Sequence, residues 1–583
     1  MRSMNDSLPP IGDPVNGADR PWYAFYPPEV PRVIEVPPEA SLGEMVAHTA
    51  ARHGDKVAFT NLGGQLTFND VDRLASKFAA FLQHDLGLAK GERIVIQMPN
   101  LMQYPVALYG ALRAGLIVVN ANPLYTVTEL AGVFRDAKPK AIVVLANFAD
   151  KIEEVLPETT IEHVIVTQVA DMLPQPKRAL INFLAAKVKK MVPEYSIPGE
   201  IRFPDALARG ERHQVTDPGL TKDDVAFLQY TGGTTGGAKA AVLTHGNLLT
   251  NQEQFMAQIR NTLGEEKQST IIAALPLYHV FALTVNLIGF FRFGARNELI
   301  TNPRDLPAFV KTLGKVQPDG LILVNTLAAA LLDAPGFKDL DFGRMRLTVA
   351  GGMAVRTAVA KRWREVTGSD ITEGYGLTEA SPVVSVNPTH MPPRVGTIGV
   401  PLPSTDIRIC DDDGNDVALG TPGELWVRGP QVMRGYWNNE EESHRVITDD
   451  RWLLTGDIAT LDQDGFLTIV DRKKEIIVCS GFNVYPGEIE DVASLHPKVA
   501  EAGAIPIADE RAGEVPKLFV VRRDESLTEA ELKAFLKERL TGYKRPRYIE
   551  FIDELPKTNV GKVLRRALRE REAQATAEAP ASS

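Results

Sequence analysis

Only two cysteines, Cys410 and Cys479, occur in the 583 residues. So sparse a pair implies no disulfide framework, and a reducing cytoplasm fits. An excess of positive charge is also missing. Against 64 lysines and arginines stand 74 acidic side chains, a net charge of −10, where a nucleic-acid binder would need a basic face. Long apolar runs are scarce. The most membrane-like stretch, LPLYHVFALTVNLIGFF at residues 275–291, carries His279 and Asn286. It is shorter than the roughly 20 residues of a membrane span, so a buried core segment is expected, with peripheral membrane contact left open. The N-terminus, MRSMNDSLPPIGDPVNG, has no apolar core and does not read as a signal peptide. HExxH, paired CxxC and the GxSxG nucleophile elbow are all lacking.

What is present is an ordinary globular composition, 44% hydrophobic and 24% charged, in a chain too long for one core. A proline-rich leader, residues 1–40, is expected to lie as an extended arm. Alternation then begins. SLGEMVAHTAARHG predicts a helix capped by Ser41 and closed by Gly54, and FNDVDRLASKFAAFLQ puts Val71, Leu74, Phe78 and Phe81 on one helical face. RIVIQM, LIVVNA and AIVVLA read as buried strands between helices, the pattern of a parallel, layered α/β domain over residues 41–470. Near residue 470 the texture changes. A charge cluster, Asp471-Arg472-Lys473-Lys474, separates that domain from a compact α+β unit at residues 475–570. Its short strands precede a helix opened by Thr528 and Glu531 as a capping box. The cluster reads as a hinge or a solvated turn. The tail, residues 571–583, is low-complexity and expected to be disordered.

Residues 230–239 read YTGGTTGGAK. Glycines, threonine hydroxyls and a lysine suit a phosphate-binding loop, but the frame is not Walker A. Ala238 intrudes before Lys239, and Ala240 stands where the magnesium-binding hydroxyl belongs. Apolar runs on both sides, VAFLQY and AAVLTH, predict two strands rather than a strand and a helix. EGYGLTEASP sets Tyr375 between glycines, a flat face for a base, and places Thr378 beside Glu379, a carboxylate suited to Mg²⁺. LLTGDIA offers Asp457 to vicinal ribose hydroxyls, though a turn aspartate explains it equally. PKTNVGKVLRR offers Lys562, with the basic start of a surface helix as the plainer alternative. His279, in PLYHVFAL, is as consistent with a satisfied core histidine as with a site.

In this order YTGGTTGGAK, PLYHVFAL, GGMAV, EGYGLTEASP, WLLTGDIA, DRKKEIIVCSGFNVYP and LPKTNVGKVLRR resemble the adenylate-forming superfamily of acyl-CoA synthetases, luciferases and peptide-synthetase adenylation domains. Within it the chain is most similar to bacterial long-chain fatty-acid–CoA ligases, over nearly its whole length. The resemblance implies a large layered α/β N-terminal adenylation domain plus a small mobile α+β C-terminal domain. It also implies use of ATP, Mg²⁺ and CoA on a fatty acid.

Roles follow from the resemblance position by position. Thr231, Gly232, Gly233, Thr234, Thr235, Gly236 and Lys239 would embrace the phosphates. Gly351, Gly352, Tyr375 and Gly376 would border the adenine. Thr378 would touch the α-phosphate, Glu379 would hold Mg²⁺, and Asp457 and Arg472 would hold the ribose. Lys562 would reach the α-phosphate and the attacking carboxylate from the small domain, with Lys474 at the hinge. His279, Phe281 and Asn325 would face the fatty acid, and Ser480, Gly481 and Phe482 the CoA arm.

Two features depart from the pattern. Ala240 replaces a usual glycine, which costs little unless the backbone needs φ > 0. The alanine-rich LILVNTLAAALL lies where an acyl tunnel is expected, and an ordinary buried helix explains it as well. The expected partners are a fatty acid, ATP and CoA, and no nucleic acid. Contact with the inner membrane and a homodimer stay open. The alternatives are a ligase that hands the acyl group to a carrier protein, or a non-catalytic fatty-acid sensor.

Overall fold

The computed structural model describes residues 20–231, 239–264, 267–480, 482–509, 511–558 and 563–578. Two large sheets carry the N-terminal region. One has seven strands, in the order Ile201–Arg202, His163–Thr167, Ala141–Leu145, Arg93–Gln97, Ile117–Asn120, Val225–Thr231, Lys239–Thr244. All neighbours are parallel except the last pair, Val225–Thr231 with Lys239–Thr244. The other has nine strands and a parallel centre running from Val57–Asn61 to Ile371–Gly376, with antiparallel pairs at both edges. The central strands are buried along their whole length, as in Ile117–Asn120 and Ala141–Leu145. That is why the sequence shows continuous apolar runs here and not alternation: helices cover both faces of a parallel sheet.

The helices form where local signals place them. Leu42–His53 begins at Ser41, whose side chain accepts from the Glu44 amide, and ends at Gly54 with φ +49°. Phe68–Ala80 opens on a capping box between Thr67 and Asp70, burying Val71 and Phe78 completely and Leu74 partly. Residues 275–291 lie inside: the turn Leu283–Phe290 is buried at every position. Among the described residues no helix is long and apolar enough to cross a membrane.

From Arg20 onward the leader is strapped down. Trp22, Tyr26, Val30 and Ile34 are buried, the Tyr26 hydroxyl donates to the Pro401 carbonyl at 2.6 Å, and Arg20 pairs with Asp406 at 3.0 Å.

A four-stranded antiparallel sheet, Asp406–Cys410 to Leu467–Arg472, leads to the C-terminal unit. There a five-stranded sheet with its own core packs against the helices Pro486–Ser494 and Glu529–Lys537. Thr528 caps the second helix by accepting from the Glu531 amide, but the reciprocal half of the expected box is missing. Glu531 turns instead to Lys498 at 3.0 Å, a full ion pair. The expectation of a disordered tail from residue 571 needs correction. The helix Arg565–Glu578 takes in residues 571–578 of that tail, held by Glu572 to Lys517 and by Arg571 to Glu550. Both cysteines are buried and unpaired.

Candidate active site

Where the sheets meet, a cleft of about 1050 Å³ opens, and segments far apart in sequence line it. The strands Val225–Thr231 and Lys239–Thr244 bring Thr231 and Lys239 face to face across an antiparallel pair, fixing both ends of the glycine loop. Gly232, Gly233, Thr234, Thr235 and Gly236 lie outside the described residues, as do Gly481 and Lys562. Ala240 sits opposite Tyr230 in the same pair and is not among the positive-φ residues, so its methyl group meets no backbone conflict.

The Lys239 ammonium contacts the Glu442 carboxylate and lies 5.7 Å from the centre of the Tyr436 ring. Arg445 joins the same carboxylate at 2.6 Å. Burial pushes the Glu442 pKa upward, but the hydrogen bonds from Lys239 and Arg445 outweigh it and leave the group below its ordinary value.

Next to this cluster stands the turn after the strand Ile371–Gly376. Gly376 is required there, since a Cβ would lie 2.2 Å from the Pro382 carbonyl oxygen. Thr378 and Glu379 follow in a short 3₁₀ turn and line the cleft. The Tyr436 hydroxyl donates to Glu379 Oε1 at 2.7 Å, so one ring couples the lysine and carboxylate sites.

Tyr375 forms another wall. Its hydroxyl donates to Asp457 Oδ2 at 2.5 Å, and Arg472 pairs with Asp457 Oδ1 at 3.0 Å. Asp457 is buried and does not itself line the cleft, but Tyr375, Gly456 and Arg472 around it do. The Asp457 charge raises the Arg472 pKa; burial and then Asp457 raise that of the Tyr375 phenol. Strand pairing sets this geometry, because Asp457 and Arg472 are register partners. Gly351 and Gly352 line the cleft beside them. Gly352 has φ +78°, and a Cβ on Gly351 would meet the Phe281 ring at 3.3 Å.

The apolar flank is built from Tyr278, His279, Val280, Phe281 and Val349. His279 Nδ1 accepts from the Phe281 amide at 3.4 Å. Its ring opens onto the cleft yet is walled by protein, and desolvation lowers its pKa to about 4. It is therefore neutral at pH 7.

The C-terminal unit supplies the rim. Lys557, Thr558 and residues 563–566 line the same cleft and so flank the position of Lys562 on both sides. Lys474 is there too, its pKa lowered by desolvation and by the Arg472 cation.

Three other assigned positions lie elsewhere. Asn325 is buried and its side-chain oxygen accepts from the Arg356 amide at 3.0 Å. Ser480 and Phe482 are not among the cleft-lining residues; Phe482 is exposed and stacks on Tyr543 at 4.8 Å. The alanines of LILVNTLAAALL do not line the cleft either. Ala328 is fully buried in the cluster around Phe309, Leu331 and Trp363.

Sequence reasoning missed Tyr436, Glu442 and Arg445, which lie some two hundred residues beyond the loop they serve and carry no local motif. It also missed the Glu373 carboxyl, which accepts from the Val355 amide at 3.0 Å and which burial raises to about 7. The only hint of either was position: Glu373 opens EGYGLTEASP, and Tyr436 begins a YWNNEEE run rich in acid.

The AMP-binding enzyme family matches residues 46–437, and its C-terminal domain matches residues 488–562. A long-chain-fatty-acid–CoA ligase of Yersinia pestis is 51% identical over 554 residues, covering 95% of this chain and 98% of its own. One from Bacillus subtilis is 37% identical, covering 96% and 99%. Among solved structures, ATP-bound MatB from Rhodopseudomonas palustris superposes with a TM-score of 0.79 at 26% identity, over 91% of this chain and 99% of its own. The anthranilate CoA ligase AuaEII in complex with anthranoyl-AMP gives 0.81, also at 26%, over 93% and 99%. With both halves matched and full-length relatives at half identity, the chain belongs to the AMP-binding enzyme family.

Proposed function

We propose that this chain is an ATP-dependent ligase that converts a medium- or long-chain fatty acid to its CoA thioester. In the first step a carboxylate oxygen of the fatty acid attacks the α-phosphorus of ATP. The bond to the β-phosphate oxygen breaks, giving acyl-AMP and pyrophosphate. In the second the CoA sulfur attacks the acyl carbon, the bond to AMP breaks, and the thiol proton passes to solvent.

The observation that carries this reading is the cleft itself. It joins a lysine beside a glycine loop, a carboxylate beside a threonine hydroxyl, and a tyrosine and an arginine that share one buried aspartate behind them. Bringing a carboxylate to a triphosphate sets anion against anion, so preorganised positive charge is the main requirement. Lys239 and Arg472 supply it from the large domain, and Lys562 from the small one. Tyr375 stacks the adenine, and Asp457 accepts from the ribose hydroxyls while Arg472 fixes its orientation.

Among the described residues no group of three His, Cys, Asp or Glu could hold a metal alone. Of the carboxylates that line the cleft, Glu379 is the one beside Thr378, whereas Glu442 is taken by Lys239 and Arg445. Glu379 suits Mg²⁺, which keeps waters and takes substrate phosphates alongside one or two carboxylates; when bound, the ion would neutralise phosphate charge. Neutral His279 and Phe281 offer an uncharged wall to the acyl end. The small domain turns about Lys474 between steps, because a lysine at the reacting carboxylate would obstruct the thiol. The SGF segment, Ser480 to Phe482, then comes to the CoA arm.

The names of the relatives support the fatty-acid assignment. Peripheral contact with the cytoplasmic face of the membrane belongs to the same reading, since each buried methylene favours lipid by about 0.8 kcal/mol. Incubating the protein with ATP, Mg²⁺ and oleate, with and without CoA, tests the proposal. AMP and oleoyl-CoA formed only when all components are present support it. Oleate binding without turnover supports a sensor, and oleoyl-AMP that CoA cannot discharge supports transfer to a carrier protein.

A further inference from the structure

Fifteen large apolar side chains are exposed among the described residues, and five of them fall between residues 180 and 191. Leu180 is 58% exposed, Phe183 58%, Leu184 39%, Val188 60% and Met191 50%. Leu180, Phe183, Leu184 and Val188 lie on a short helix, Lys177–Phe183, continued as a π-helical turn, Leu184–Val188, with Met191 just beyond it, and neither helical part has a buried residue. The spacing of three and four puts the four helical ones on one side.

The opposite side, Arg178, Ile181, Asn182, Ala185 and Ala186, is half-buried against the domain. Polar contacts fasten it. Asn182 donates to Asp171 at 3.0 Å and accepts from the Ala170 amide at 2.9 Å, and Lys177 donates to the Leu62 carbonyl at 2.6 Å. The helix is therefore held with its apolar side outward.

An outward apolar ridge this dense calls for a partner. Its charge identifies which. From residue 177 to 193 there are five lysines and arginines and no acidic side chain, in a chain whose net charge is −10. Lys187, Lys189 and Lys190 are exposed beside the ridge. Apolar side chains that reach below the headgroups, rimmed by cations at headgroup level, match an anionic bilayer surface.

We propose that the segment 177–191 docks the enzyme on an anionic lipid surface, with Leu180, Phe183, Leu184, Val188 and Met191 inserted and Lys187, Lys189 and Lys190 at the headgroups. The proposal rests on the membrane contact proposed above and names the surface that makes it. A basic surface for another protein would lack the reason for an inserted apolar ridge, and no residue of the segment lines the cleft.

The test is co-sedimentation of the full-length protein with vesicles of phosphatidylethanolamine and phosphatidylglycerol, and with vesicles of phosphatidylcholine alone. The expected result is binding to the first that weakens as salt rises and little binding to the second. The double variant Phe183→Glu, Val188→Glu should bind the anionic vesicles about tenfold more weakly or worse. Lys187→Glu with Lys189→Glu should erase the preference for them. In each variant the melting temperature and the turnover of detergent-dispersed fatty acid should be unchanged. Wild-type protein that ignores both vesicles would overturn membrane contact altogether. Variants that bind like wild type would overturn this face alone. A wild-type dimer that the same substitutions turn into monomer, without any vesicle binding, would overturn the lipid assignment and give the ridge to a second copy of the chain.

Discussion

Glu379 and Lys239 share one neighbour, the Tyr436 ring, through a 2.7 Å hydrogen bond on one side and a cation–π contact on the other. If Glu379 holds Mg²⁺, Glu379→Gln keeps an oxygen for the Tyr436 hydroxyl, and so should keep the fold. It loses the charge that binds the ion. The expected outcome is an unchanged melting temperature with a magnesium requirement shifted upward and adenylation slowed. Wild-type activity across a magnesium titration would reject the role. A second residue-scale prediction concerns acid. His245 is buried, Nδ1 accepts from the Leu42 amide at 3.2 Å, and desolvation lowers its pKa to about 4. The unfolded chain binds a proton near pH 6.5 that the native state refuses. Its contribution is thus fully present above pH 6.5 and is lost as pH falls from 6.5 towards 4, by on the order of 3 kcal/mol. His245→Gln, which retains an acceptor, should flatten the fall in denaturant midpoint over that range; an unchanged slope would assign acid sensitivity to other groups.

Elements whose signals are local could be read from the sequence. Ser41 with Gly54, and the continuous apolar runs of the parallel strands, each depend on residues within a few positions. Elements that depend on distant partners could not. Glu531 leaves its capping box for Lys498, and the helix Arg565–Glu578 persists into an alanine-rich tail because Lys517 holds Glu572. The site divides the same way. Lys239, Tyr375, Thr378 and Glu379, which sit in local motifs, line one cleft, while Asn325, Ser480 and Phe482 lie off it. Tyr436 and Glu442 reach Lys239 only through the folded chain. The helix Asn325–Asp333 gives a prediction at this scale. Ala328 is fully enclosed by the Phe309, Leu331 and Trp363 cluster, so Ala328→Phe should overpack that core and cost about 1–3 kcal/mol. The melting temperature should fall and the preferred acyl length stay constant. A shortened preference at wild-type stability would mean that this helix borders the acyl chain after all.

At the scale of the whole molecule, two differently built units close on one cleft, and polar contacts join them among the described residues. Arg356 donates to the Ala500 carbonyl at 3.3 Å, and Lys557, Thr558 and residues 563–566 bring the small domain to the rim. An interface of this kind can be exchanged for another, which a two-step reaction at one site requires. On this account Lys562 serves the first step alone. Removing a cation about 4 Å from the reacting anions costs on the order of 4 kcal/mol at an effective dielectric of 20, roughly a thousandfold in rate. The direct measurement is the rate of each half-reaction in Lys562→Ala. Acyl-adenylate formation from oleate and ATP should be nearly abolished, while preformed oleoyl-adenylate with CoA should give thioester close to the wild-type rate. A mutant equally crippled in both half-reactions would contradict the alternation of domains on which the account depends.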